Sequence, residues 1–77
     1  MTTEAFKAHL NASPFHPFVV HLNDGRAIPV KHPDYVALSP KGWEAMVWTE
    51  EYVYEFIDLD AVTSLKVTRK PRTKTAT

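Results

Sequence analysis

Pro17-Phe18-Val19-Val20-His21-Leu22-Asn23-Asp24-Gly25-Arg26-Ala27-Ile28-Pro29-Val30-Lys31-His32 reads as two strands joined by one tight turn. If Asn23-Asp24-Gly25 is a three-residue loop with Gly25 in the left-handed conformation, Leu22 faces Arg26, Val20 faces Ile28 and Phe18 faces Val30. One face of the hairpin is then apolar. A two-residue Asp24-Gly25 turn would set Leu22, Val20 and Phe18 beside Ala27, Pro29 and Lys31 instead, a poorer surface to bury, so pattern and turn chemistry agree on the longer loop.

The 77 residues allow one domain, and a chain of this size buries only about 60% of the surface its unfolded form exposes. Its stability is limited, and a partner subunit would add to it. A hydrophobic content of 44%, with 12% aromatic, supplies enough apolar side chain to offset ordering entropy, so the expectation is a folded body. Cysteine is absent, which excludes disulfides and thiolate metal sites and makes a reducing cytoplasm the expected compartment. No charged leader with an apolar core opens the sequence, and no apolar run approaches the roughly 20 residues that span a bilayer, so no membrane association is expected.

A net charge of zero conceals an asymmetry. Over residues 1–68 five Lys and Arg stand against nine Asp and Glu, a formal −4, while Arg69, Lys70, Arg72 and Lys74 give the last nine positions +4. Residues 1–68 therefore read as a single acidic domain and residues 69–77 as a basic, disordered tail. The body's field does not by itself attract nucleic acid.

Around the first hairpin, residues 3–11 predict a short helix, with Thr2 or Thr3 as cap, Glu4 in the first turn, and Phe6 and Leu10 on one face. So short a helix must dock its Phe6–Leu10 stripe on the body or on another subunit. His32-Pro33-Asp34 breaks the second strand, Tyr35-Val36-Ala37-Leu38 resumes it, and Ser39-Pro40-Lys41-Gly42 forms a turn into a strand from Trp43 to Trp48. Thr49-Glu50-Glu51 joins this strand to Tyr52–Ile57. A three-residue loop there would group Met46, Trp48, Tyr52, Tyr54 and Phe56 on one face, whereas a two-residue loop would pair Trp48 with Val53; the residues leave that register open. Asp58–Ala61 reads as one helical turn and Val62–Val67 as a last strand. One helix and five short strands suit a mainly β fold, a strongly bent antiparallel small barrel.

Pro14-Phe15-His16-Pro17-Phe18, Leu22-Asn23-Asp24-Gly25-Arg26, His32-Pro33-Asp34-Tyr35-Val36-Ala37-Leu38-Ser39-Pro40, Ile57-Asp58-Leu59 and Val62-Thr63-Ser64-Leu65 together resemble a family of small, functionally uncharacterised bacterial proteins. Its layout is PFxPFxVxLxDGR, HPDxVALSP and IDLxxVTSL, and the resemblance runs from about residue 5 to residue 67. It implies no activity. More distantly, the element order is similar to the Sm-like fold, whose members form rings that bind RNA. The chain lacks the Asp and Asn-Gly signatures by which Sm proteins hold uridine, and Val30-Lys31-His32 only echoes the Lys-His pair of the bacterial RNA-chaperone branch. RNA binding thus enters as a fold-level analogy.

Candidate chemistry is sparse. His16 would lie opposite His32, with Asp34 two residues on, but two imidazoles and one carboxylate lack the fourth ligand of a closed metal site, and no metal or other cofactor is expected. Glu50, Glu51, Glu55, Asp58 and Asp60 read as solvated charges and caps rather than an acid–base pair, and Ser39 and Ser64 have no activating base, so no enzyme and no small-molecule substrate are inferred. The aromatic strands carry more. Phe6, Leu10, Trp48, Tyr52 and Tyr54 are the expected contact residues of a self-associating or protein-binding module. In the alternative, RNA binding, Arg26, Lys31, Arg69, Lys70, Arg72 and Lys74 would hold phosphates while exposed aromatics stack bases.

Overall fold

The computed structural model describes residues 1–69. Helix α1 (Thr3–Leu10) starts where Thr2, in extended backbone, accepts a hydrogen bond from the Ala5 amide at 3.1 Å, with Glu4 placed to complement the helix dipole. Its buried residues are Phe6 and Leu10, and Phe6 meets the Phe18 ring edge-on at 6.0 Å. Of the two docking surfaces open to this stripe, the chain uses its own body. Thr3 Oγ1 donates to the Gly42 carbonyl at 2.7 Å, which ties the start of the helix to the turn before the aromatic strands.

Six strands follow: β1 (Phe18–Leu22), β2 (Ala27–Val30), β3 (Val36–Leu38), β4 (Glu44–Glu50), β5 (Val53–Asp58) and β6 (Val62–Val67). They form two antiparallel three-stranded sheets, in the orders β2-β1-β6 and β3-β4-β5. The first hairpin has the register its turn chemistry predicts, with Phe18 opposite Val30 and Val20 opposite Ile28. Gly25 takes φ +93°, and the Leu22 amide donates to the Arg26 carbonyl at 3.0 Å.

The expected five-stranded bent barrel is replaced, over the described residues, by six strands in two small sheets. Pro33 is the physical reason. It offers no backbone donor, and a 3-10 turn over Pro33–Tyr35 interrupts what a barrel would keep as one long bent strand. His32 stabilises that turn by accepting the Asp34 amide on Nδ1 at 3.1 Å. Accordingly β2 ends in one sheet and β3 begins in the other.

Between the sheets lies one apolar core. Phe18, Val20, Leu22, Ile28, Val30 and Val62 come from the first sheet, Ala45, Val47 and Ile57 from the second, Phe6 and Leu10 from the helix and Leu59 from a turn. Leu59 belongs to a second 3-10 turn, Leu59–Ala61, capped by Asp58, whose carboxylate accepts the Asp60 amide at 3.0 Å. No described helix is long and apolar enough to cross a membrane. The basic-tail reading lies mostly outside the described residues, which end at exposed Arg69.

Two kinds of substitution test this packing by urea unfolding. Phe6→Ala empties a fully buried ring site and is expected to cost about 3–5 kcal/mol, whereas Phe6→Leu, which keeps most of the volume, costs about 1 kcal/mol. At Gly25 an added methyl meets open space, so Gly25→Ala carries only the strain of a positive φ, about 1 kcal/mol. Gly42→Ala costs more, because at φ +75° its methyl would also stand 2.6 Å from Thr3 Cγ2. Equal losses at the two glycines would show that the Thr3 contact does not constrain the turn.

Candidate interaction surface

The second hairpin decides which side chains the molecule presents. Trp48 pairs with Tyr54, Met46 with Phe56 and Val47 with Glu55, and the register shifts between Trp48 and Glu50. That bulge gives the pairing of neither expected loop: β4 continues to Glu50, Glu51 and Tyr52 form the turn, and Met46, Trp48, Tyr54 and Phe56 share a face without Tyr52. Ala45, Val47 and Ile57 point into the core, while Met46, Trp48, Tyr54 and Phe56 lie on the opposite face. Volume explains the choice. The small and branched set fits the narrow space against the first sheet, and the four bulky side chains do not.

The result is a continuous aromatic surface on β4 and β5. Trp48 and Tyr54 rings stand 4.8 Å apart, and Tyr54 meets Phe56 edge-on at 5.7 Å. Phe56 is 64% exposed and Tyr54 48%. Ala37 of β3, opposite Met46, continues the face across the sheet. At the hairpin end an open groove of about 490 Å³ is lined by Lys31, Tyr35, Trp48, Thr49, Glu50 and Glu51. A shallower depression of about 220 Å³ runs past Ala37, Met46 and Phe56.

Of the expected contact residues, Trp48, Tyr52 and Tyr54 are exposed on this hairpin, whereas Phe6 and Leu10 are buried in the core. The last two leave the contact set because the helix covers its own domain. Phe56 and Tyr35 join the surface. The alternation Met46-x-Trp48 and Tyr54-x-Phe56 carried the signal for Phe56, but only a known register puts the two pairs on one face.

The basic residues are dispersed. Arg26 is occupied: its Nε donates to Asp24 at 2.9 Å and its Nη1 to Glu55 at 2.8 Å. It joins the first hairpin turn to β5, across the two sheets. Lys31 remains exposed in the groove, and Arg69 is exposed beyond β6. Lys70, Arg72 and Lys74 lie outside the described residues.

The His16, His32 and Asp34 constellation does not take metal-site form. His32 uses Nδ1 to accept the Asp34 amide, with the Asp34 carboxylate 3.6 Å from that nitrogen, and its ring packs near Phe15 and Tyr35. Among the described residues no three His, Cys, Asp or Glu side chains converge. Glu55 pairs with Arg26 and Asp58 caps a turn, while Glu50 and Glu51 stand at the groove.

Compared with known protein-family models, curated proteins and solved structures, the chain matches none of them.

The Asp24–Arg26–Glu55 link has a pH signature. The Asp24 carboxyl is held below its ordinary value of 3.8, first because the Arg26 backbone amide donates to it, against an opposing desolvation, and then through the guanidinium's hydrogen bond and charge. Arg26 is held more firmly protonated, chiefly by its hydrogen bond to Glu55 and then by that to Asp24. A carboxyl lowered by folding stabilises the fold above its unfolded pKa, and that stabilisation disappears as pH falls through the lowered folded value. Asp24→Asn is therefore expected to flatten the acid limb of stability against pH. By NMR titration, Arg26→Ala should raise the Asp24 midpoint only part of the way to 3.8, because the backbone donor stays; a complete return would assign the whole effect to the guanidinium.

Proposed function

We propose that this chain is a non-enzymatic interaction module that self-associates through its aromatic hairpin and open sheet edges. The observation that carries the reading is the exposed Trp48–Tyr54–Phe56 row on β5 and its neighbour β4, beside a strand edge that no described strand pairs. A contiguous aromatic face of this kind on a small domain marks a contact surface. Exposed edges invite strand addition.

A second copy is the occupant that fits best. β5 and β6 are both edge strands, and they differ in charge: Glu51, Glu55 and Asp58 accompany β5, while Lys66 and Arg69 accompany β6. Addition of β5 from one copy to β6 of the next would pair both edges at once and set unlike charges together. Repeated head to tail, such a contact closes into a ring when its rotation allows. Rings are also what the Sm-like resemblance implies.

RNA binding is the second reading, and one observation favours it: Lys31 shares a groove with Tyr35 and Trp48, a cation beside two rings able to stack bases. Glu50 and Glu51 line the same groove and would repel phosphate. Arg26, the other candidate within the fold, is already held by two carboxylates. The balance favours protein over RNA.

Light scattering on the purified chain at about 0.1 M and about 1 M salt separates the readings. Self-association through aromatic burial gives an oligomer that survives high salt and loses at least tenfold in association constant on Phe56→Lys or Tyr54→Lys, with the circular dichroism of the fold retained. A monomer that gains mass with a polyuridine oligomer only at low salt would replace the proposal with the RNA reading.

A further inference from the structure

The groove at the hairpin end is unlike the rest of the aromatic surface. Tyr35 and Trp48 form apolar walls, and two consecutive carboxylates, Glu50 and Glu51, stand beside them. Among the described residues the ion pairs are made by Arg26 and His32, so neither of these carboxylates has a cationic partner there. Its volume of about 490 Å³ lies in the range that holds a small ligand or a few side chains. Aromatic faces beside carboxylates recognise a cation, the rings through their negative faces and the carboxylates through charge. Among the described residues Lys31 is the one cation of the lining, so the two carboxylates leave the groove with a net negative charge that suits a basic segment.

Such a segment exists in the same chain. Residues 69–74 read Arg-Lys-Pro-Arg-Thr-Lys, four cations in six positions, following a domain with a formal charge of −4. Their starting point is close by. Phe18 lies between Val30 and Val67 in one row of the first sheet, and the Thr68 amide donates to the Pro17 carbonyl at 3.1 Å. Two strand spacings, about 10 Å, separate Val67 from Val30, and Lys31 of the groove follows Val30 directly. Extended backbone covers about 3.5 Å per residue, so residues 70–74 reach about 17 Å beyond Arg69, before the length of a Lys or Arg side chain is added.

We propose that residues 70–74 of the chain dock in its own Tyr35–Trp48 groove, with Arg72 and its basic neighbours against Glu50, Glu51 and the two rings. A short covalent tether holds the segment near its site at an effective concentration on the order of millimolar, so even a contact too weak to detect between separate molecules fills the groove for a substantial fraction of the time. Internal neutralisation of this kind makes use of the opposed charges of body and tail. It shares Trp48 with the proposed self-association surface, but not Tyr54 or Phe56, which do not line the groove.

The test follows the Trp48 indole N–H signal by NMR in the full-length chain, assigned by its loss in Trp48→Phe, with the exposed Trp43 as internal control. Neutralising the tail (Lys70→Ser, Arg72→Ser, Lys74→Ser) and neutralising the groove (Glu50→Gln, Glu51→Gln) are each expected to move the Trp48 signal the same way. Raising salt from about 0.05 M to about 0.5 M should do likewise, and the Trp43 signal should stay in place. Reversing both sets together, with Glu50→Lys and Glu51→Lys against Lys70→Glu, Arg72→Glu and Lys74→Glu, should return part of the shift. A Trp48 signal unmoved by tail neutralisation at low salt overturns the proposal. So does a shift that fades on dilution, since that is contact between copies. Light scattering on the same samples reports self-association separately, so either idea can fail alone.

Discussion

The register of β1 governs the structure. This strand is paired on both sides, by β2 and by β6, and its three inward residues, Phe18, Val20 and Leu22, are all buried. Phe18 meets the rings of Phe6, His9 and Phe15, so the helix and the segment leading into β1 close on the same side chain. Because side chains alternate strictly along a strand, a slip of one residue would turn all three outward and replace them with Val19 and His21. What prevents the slip is local: Gly25 at positive φ, with Asp24 accepting the Arg26 amide at 3.0 Å. A turn of three residues thus decides the composition of a core drawn from the whole described chain.

The same Arg26 that ends the turn also reaches the second sheet. Its bond to Glu55 spans 29 positions in sequence and joins β5 to the first hairpin, at a site where no strand ladder links the two sheets. An exposed ion pair stabilises little by itself, since water and salt screen it. Its consequence is geometric. With Glu55 turned towards Arg26, its neighbours Tyr54 and Phe56 are committed to the opposite face by alternation, and the ion pair therefore reinforces the orientation that volume already favours.

How much of this was legible depended on whether a segment's signal was local. The first hairpin, the Pro33 break, the Ser39–Gly42 turn and the Asp58-capped turn rest on residues within a few positions of one another, and each stands where its chemistry placed it; the helix cap, open between Thr2 and Thr3 in the sequence, is Thr2. The division into two sheets was not legible, because whether Pro33 merely bends a strand or separates two depends on what β3 finds to pair with. Nor was the second register: Thr49-Glu50-Glu51 carries no dihedral preference, and both faces of that hairpin offered large apolar groups. The surface suffers most from this ambiguity. Phe6 and Trp48 look alike as apolar residues in sequence, yet one fills the core and the other faces outward, and only the core's limited volume distinguishes them. Arg26 likewise looked like a phosphate contact until Asp24 and Glu55 were seen to occupy it.

Placing aromatics outward is costly for a small domain unless something covers them, and the charge distribution bears on what can. With −4 over residues 1–68 and +4 over residues 69–77, the chain is neutral as a whole but unevenly charged along its sequence. A neutral chain is weakly protected against association, because no net repulsion keeps copies apart. Opposed charges on separate segments would in addition attract the basic residues of one copy to the acidic hairpin of another. Within the single chain the proposed docking would set the same charges against the hairpin of their own domain. Dilution distinguishes the two proposed contacts: a tethered one is indifferent to it, while one between copies is not. Salt distinguishes them as well: the proposed tail contact, made by charges, would be screened, whereas the proposed aromatic burial between copies would not.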